Sequence, residues 1–360
     1  MAQPPGRYAG TMEPVTHMLT GAVLARAGFN RKAAYATAAM VIAAEFPDID
    51  ISWTFAGPVT SFLHHRGITH TFVAIPFEAA LIAACFWFTH RFRKRAPAAP
   101  PNWLWLFLGC WLALGSHLLL DWTNNYGLRP FFPFDPHWYA GSFVFIFEPI
   151  LFAILLIALI APWLFGLVGS EIGARQDKFR GRGWAIAALI GIAALYAMRF
   201  NEHAKAIEIA AANQPEGTTR IFASPHPVNP FLWSTVSDTP TLYQLSTVDT
   251  WRGVVAPATP SDTLYKGPVS LPILVAKRSY LGRVYLDWSM YPVITQTAAG
   301  DPTHPLVEVK FADARFMYDT LLDNGKSDPP ITGTVLLDMA APEPDRVIET
   351  RMNGHTQRAP

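Results

Sequence analysis

The chain has 360 residues, 51% of them hydrophobic, 13% aromatic and only 15% charged. Soluble domains carry about 25% charged residues, so a large part of this chain is expected to face lipid. The net charge of +1 argues against a nucleic-acid partner, which demands a strong basic excess. Both cysteines, Cys85 and Cys110, fall in apolar runs and read as small hydrophobes, not as a disulfide framework or a thiolate pair.

Residues 1–11 read as a flexible leader without the apolar core of a signal peptide. Residues 12–205 predict an α-helical integral membrane bundle of about four to six helices. Two alanine-rich segments, 14–27 and 31–46, are short for a span and read as helices packed inside the bundle. The runs 69–89, 103–122, 143–168 and 184–200 approach the roughly 20 apolar residues that a spanning helix needs. Basic residues gather at Arg26, Arg31 and Lys32 and in residues 91–95 and 175–182. The intervening loops 47–68 and 123–142 hold one arginine each, Arg66 and Arg129. Lysine and arginine mark the cytoplasmic side, which puts the other helix ends outside. From 214 to 340 the runs FLWSTV, TLYQLSTV, VSLPILV, LVEVKF and ITGTVLL, separated by turn residues, predict a small all-β extramembrane domain on that outer side. Residues 341–360 read as a loose tail.

The ionisable residues beside the helices form a pattern of their own. His17 opens the first helix, and Asp48 and Asp50 close the second in FPDID. His64, His65 and His70 open the third in HHRGITH. His117 and Asp121 end the fourth in HLLLDW, and Glu148 stands at the start of the fifth. In the topology above, five helices bring these groups to one outward layer. His117 and Asp121 are four apart and share a helix face. Imidazole with carboxylate suits zinc, manganese or iron better than calcium or magnesium. Asp48 and Asp50, two apart in an extended turn, point the same way, as a bridge between two metals requires. Gly67 permits a sharp turn within HHRGITH. Arg66 can grip a phosphate with its guanidinium fork, and Asn124 and Tyr126 can orient a substrate, although this stretch reads equally as an exit turn. Singly, each residue is as well explained as an interfacial anchor or a helix stop. The set together is not.

The ordered series THMLTGAVLA, FPDID, HHRGITHT and HLLLDWTNNYGLRPFFPF, over about residues 14–135, resembles the YdjM-like family of bacterial inner-membrane proteins, described as membrane-bound metal-dependent hydrolases. The resemblance implies a metal site at His17, Asp48, Asp50, His65, His70, His117 and Asp121. The order of ligands is also similar, more remotely, to zinc-dependent phospholipase C and P1-type nucleases. Their HxxxE element has no clear counterpart here, and Glu148 is the candidate to stand in. The expected cofactor is a divalent transition metal, two or more zinc ions, with manganese or iron as alternatives. Asp48 and Arg66 are the expected catalytic residues, with Arg66, Asn124 and Tyr126 as substrate contacts.

Position restricts the chemistry further. A metal site at the outer face of the inner membrane reaches lipid headgroups, so the leading expectation is a hydrolase of a phospholipid or other lipid-linked phosphoester. The β domain would gate that site or recruit a protein partner. The rival expectations are a non-catalytic metal-binding membrane protein with a structural, sensing or regulatory role, and a metal transporter. Transport would call for acidic or histidine residues at more than one depth.

Overall fold

The computed structural model describes residues 14–171, 179–301, 304–319, 325–326, 329–343 and 345–357; the leader 1–11 and part of the basic stretch 175–182 lie outside them. In chain order the helices are α1 (Pro14–Leu24), α2 (Ala36–Glu45), α3 (Pro58–His64), α4 (Ala74–Arg91), α5 (Trp103–Thr123), α6 (Pro149–Glu171) and α7 (Arg182–Ala212). Strands β1 (Arg220–Pro225), β2 (Leu232–Asp238), β3 (Leu242–Asp249), β4 (Val254–Val255) and β5 (Thr263–Tyr265) follow. Helices α8 (Leu271–Arg278) and α9 (Tyr280–Trp288) precede strands β6 (Pro292–Asp301), β7 (His304–Asp313), β8 (Gly333–Asp338), β9 (Val347–Met352) and β10 (His355–Gln357). Contacts divide the chain into a helical unit, Met12–Asp50 with Arg66–Asn201, and a β-rich unit, Ile51–His65 with the chain from Glu202 onward.

The helical unit is built on small residues. α1 packs on α2, α2 on α5, and α5 on α4. A side chain at Gly21 of α1 would collide with the carbonyl of Met40 in α2. The seam between α2 and α5 is lined by Ala36, Ala39, Ala43, Cys110 and Ala113, all buried. Without a hydrophobic drive between helices in lipid, close backbone approach over small residues supplies the packing. α6 adds a second core with α1 and α7 through Val23, Leu151, Leu155, Ala158 and Ala185. Among the described residues, α5, α6 and α7 are long and apolar enough to cross a membrane. A fourth span results if the bent segment ending in α4 is counted as one. Residues 143–148, expected as the start of the α6 helix, are not helical; the helix begins at Pro149.

The β-rich unit holds two antiparallel sheets, one ordered β1-β2-β3-β4 with β5 on β3, the other β10-β9-β8-β7-β6. Four of the five expected strand runs fall on strands. VSLPILV does not: Ser270 accepts from the amide of Ile273 and caps α8, with Pro272 in its first turn and Lys277 and Arg278 in its last. The domain is therefore β-rich with two short helices. The expectation of a loose tail over 341–360 fails for residues 347–352 and 355–357, while 358–360 lie outside the described residues. Residues 347–352 and 355–357 pair with β8 and with each other, completing the second sheet.

Residues 51–65, expected as a loop of the bundle, belong instead to this unit. Gly57 has φ +112 and offers no capping side chain to α3, so the Gln357 carboxamide oxygen accepts from the Val59 amide at 2.8 Å in its place. Phe62 packs on the rings of Trp288 and Tyr285, 5.2 and 6.0 Å between centroids.

A candidate metal centre in the helical unit

α1, α2, α5 and the turn before α4 bring five of the expected residues together. His17 lies on the buried face of α1 and stacks on His117 at 3.9 Å. Pro47 ends the α-helical pattern of α2, and the following 3-10 turn carries Asp48 and Asp50. His70 closes a short 3-10 turn, and His117 and Asp121 share the buried face of α5. Two overlapping groups could hold a metal ion: Asp48, His70 and His117, and His17, His117 and Asp121.

The contacts around the two central imidazoles orient their rings. His117 Nδ1 lies 2.7 Å from the Ala44 carbonyl, which can only accept, so Nδ1 carries a proton and Nε2 is turned inward. His70 Nδ1 faces Asp50 Oδ2 at 3.4 Å and Thr69 Oγ1 at 3.1 Å, which leaves its Nε2 inward. The two Nε2 atoms then face each other at 3.1 Å. Around them stand Asp48 Oδ1, 3.3 Å from His70 and 3.8 Å from His117, and Asp121 Oδ2, at 3.5 and 3.4 Å. Ligands held at about 2.0–2.1 Å in a tetrahedron lie roughly 3.3 Å from one another. Of these five distances, four lie at 3.1–3.5 Å and match that spacing, and the one from Asp48 to His117 is longer at 3.8 Å. Asp121 Oδ2 and both nitrogens of His17 are buried without a hydrogen-bond partner, as donors awaiting a cation would be. The residues present fit a divalent metal of the zinc class.

The supporting groups are also in place. The Arg66 amide donates to Asp50 Oδ2 at 2.7 Å, and its side chain donates to Asp121 Oδ1 at 2.6 Å, to the Gly127 carbonyl at 2.9 Å and to Asn124 Oδ1 at 3.2 Å. Asp48 is the most accessible of the four inner donors, 15% exposed at the side chain.

Several expectations change in detail. Arg66, expected to hold a substrate phosphate, is buried, and its guanidinium is spent on Asp121 and the turn after α5. Its own backbone takes the sharp turn, at φ +52, a region costly for a side-chain-bearing residue and tolerated where surroundings over-determine it. Asn124 accepts from Arg66 and from the Tyr126 amide, and Tyr126 lies under the Arg66 guanidinium, 4.8 Å from its ring centroid. Both are buried supports of that turn. Asp50 orients His70 and Arg66 and, with His65 and Glu148, falls outside both metal-competent groups among the described residues. Glu148 is paired instead with Arg199 of α7, buried beside it. His64 stacks on Trp53 within the β-rich unit.

Sequence reasoning missed Arg199, Glu45 and Glu78. Arg199 interrupts the apolar run of α7, and Glu78 that of α4; a charge inside such a run is itself a signal. Glu45 and Glu78 each bury a carboxylate oxygen without a hydrogen-bond partner. The contribution of the Ala44 carbonyl has no sequence signal, since any residue carries one.

Comparison with known proteins bears on the same residues. The uncharacterized protein YfhP of Bacillus subtilis (strain 168) is 30% identical over 128 residues, 36% of this chain and 36% of that protein. The chain thus matches about a third of the relative's length. No solved structure matches. The pattern of the YdjM inner membrane protein family matches residues 12–206, which contain every donor of the metal centre and more than half of the chain. With its apolar helices packed over small residues and its centre inside the matched segment, the chain belongs to the YdjM inner membrane protein family.

Proposed function

We propose that the protein is a metal-dependent hydrolase of a phosphoester, acting on a phospholipid or another lipid-linked substrate at the outer face of the inner membrane. The observation that carries this reading is the set of facing donors His70, His117, Asp48 and Asp121, with Asp121 Oδ2 buried and without a hydrogen-bond partner. The outward placement rests on the basic residues at Arg26, Arg31, Lys32 and 91–95, toward the other helix ends. A divalent ion bound there would supply Lewis acidity and an activated water. The chain's own residues divide the remaining work. Asp50 and Ala44 hold the Nδ1 atoms of His70 and His117 and so turn both Nε2 atoms inward. Asp48 is the donor that water and substrate reach. Arg66 positions Asp121 and neutralises part of its charge.

The donor set serves one ion. His117 offers a single free nitrogen to both groups, so a second ion would need Asp121 to bridge toward His17, and Arg66 already occupies Asp121 Oδ1. Zinc, manganese and iron all suit these donors. The similarity to zinc-dependent phospholipase C and P1-type nucleases rests on ligand order alone. A second reading has an observation of its own: the donors are almost wholly enclosed by protein, with Asp48 alone 15% exposed, and structural metal sites are closed and keep no open position. Purified protein, loaded with zinc or manganese or stripped by chelator, would be given vesicles of defined phospholipids and lipid-linked phosphates. Metal-dependent release of headgroup or phosphate is the expected result. Tightly bound metal with no release from any of them favours the structural reading.

A further inference from the structure

Beyond α5 the chain forms a closed loop between Leu128 and Tyr139, which exchange backbone hydrogen bonds of 3.0 and 2.8 Å. Gly127 opens it at φ +85, where a Cβ would lie 3.0 Å from the Tyr139 carbonyl. The base of the loop is buried: the Arg129 guanidinium lies over Trp138 and Phe132, at 4.7 and 5.3 Å. The tip is the reverse. Phe131 and Phe134 point outward, Phe134 83% exposed.

The loop is also tied to the metal-ligand stretch. Phe72, two residues beyond His70, donates its amide to the Pro130 carbonyl at 2.9 Å, and its ring lies 5.4 Å from Phe131. Phe131 meets Tyr139 edge-on at 5.5 Å. Phe72, Phe131 and Tyr139 thus make one exposed aromatic platform. It heads the outer face of α4, where Val73, Phe77, Leu81 and Phe88 are exposed while Ile75, Ala79 and Ile82 are buried. A helix of a soluble protein turns polar residues outward, so this apolar stripe faces hydrocarbon and the platform continues it.

Depth follows from the backbone. Irregular chain is not tolerated in contact with hydrocarbon unless its polar groups are satisfied. Here the amides of Phe132 and Phe134 bond to Arg129 and Phe131, and Asp135 accepts from the Tyr139 hydroxyl at 2.6 Å and the His137 amide at 3.0 Å. An apolar tip with a polar Asp135–His137 collar is the composition of a membrane interface, where aromatic side chains gather.

We propose that residues 128–139, with Phe72, form a lipid-immersed element whose aromatic platform seats the acyl chains of bilayer phospholipid immediately beside His70. It deepens the lipid-substrate reading and rests on it for its role in catalysis, but the contact itself is tested without hydrolysis. Single cysteines at Phe134→Cys, Phe77→Cys and Glu216→Cys, each on a Cys85→Ala background, would carry a nitroxide in phosphatidylcholine–phosphatidylglycerol proteoliposomes. Collision rates with oxygen and with a water-soluble nickel chelate would be compared, after checking that metal content is unchanged. The expected result is an oxygen-to-nickel ratio at position 134 at least fivefold above that at 216 and near that at 77. A ratio equal to that at 216 places the loop in water and overturns the proposal. Low access to both reagents means a protein covers the tip, and overturns it too. If the label lies in lipid but no lipid phosphoester is ever cleaved, the hydrolase reading fails while the membrane contact stands.

Discussion

Two buried ionic clusters, one in each unit, look alike by composition and differ in what they lack. In the β-rich unit Asp313 accepts from the Arg315 amide at 2.9 Å and from its guanidinium at two points, each 3.0 Å away. It also accepts from the Ser289 hydroxyl at 2.6 Å and from the Met290 amide at 2.9 Å. Every negative oxygen faces a donor. In the helical unit two imidazole Nε2 atoms face each other with two carboxylates around them, and His17 stacks alongside with neither nitrogen hydrogen-bonded. The first cluster is complete as protein. The second leaves Asp121 Oδ2 and both His17 nitrogens without a partner in groups that could hold a metal ion, and that difference separates a structural network from a candidate site more reliably than burial does.

The largest expected effect falls on the complete cluster, which should matter for folding and not for metal. Asp313→Ala should cost about 3–5 kcal/mol by leaving Arg315 buried and unpaired, read as a lower unfolding midpoint of the C-terminal unit, with metal content unchanged. A matching loss of metal would show that the two clusters are not independent. His117→Ala should have the next largest effect. An even share of the roughly 10–16 kcal/mol typical of a four-ligand zinc site is about 3 kcal/mol, or a hundredfold or more in affinity, measurable by chelator competition. Unchanged affinity would mean that the imidazoles are merely packed.

Arg66→Ala and Asp50→Ala come next, because both residues act on the candidate centre through a donor. Each should weaken metal binding about 10- to 100-fold, the usual cost of losing a group that orients a ligand. If Arg66→Ala keeps full affinity and loses only turnover, Arg66 is a substrate contact after all. The smallest effect is one of pH. Burial alone would raise the Asp313 carboxyl, but the Arg315 guanidinium and the Ser289 hydrogen bond hold it below the usual carboxylate range. A lowered folded-state value stabilises above the unfolded value of about 3.9 and is lost as pH falls through the folded one. Acid unfolding of the C-terminal unit should therefore set in below about pH 4, and Asp313→Asn should flatten it.

Local periodicity and residue chemistry made part of the fold and of the candidate site legible without coordinates. Apolar runs of spanning length placed α5, α6 and α7, and the four-residue spacing of His117 and Asp121 placed both on one helix face. Turn-bounded alternating runs marked β2, β3, β7 and β8, because a strand's period is visible within its own residues. VSLPILV carries no such information, since a short apolar run fits either period and the Ser270 cap decided it. Tertiary structure alone decided the rest. The division of HHRGITH is one case: His70 turns inward as a donor, Arg66 spends its guanidinium on Asp121 across 55 residues, and His65 goes with the β-rich unit. Another is the capture of residues 51–65 by Gln357, a hydrogen bond across nearly the whole described chain. The physical reason is the same in both. A side chain's type limits which partners it accepts, but its job is set by which unsatisfied group the fold brings within about 3 Å of it.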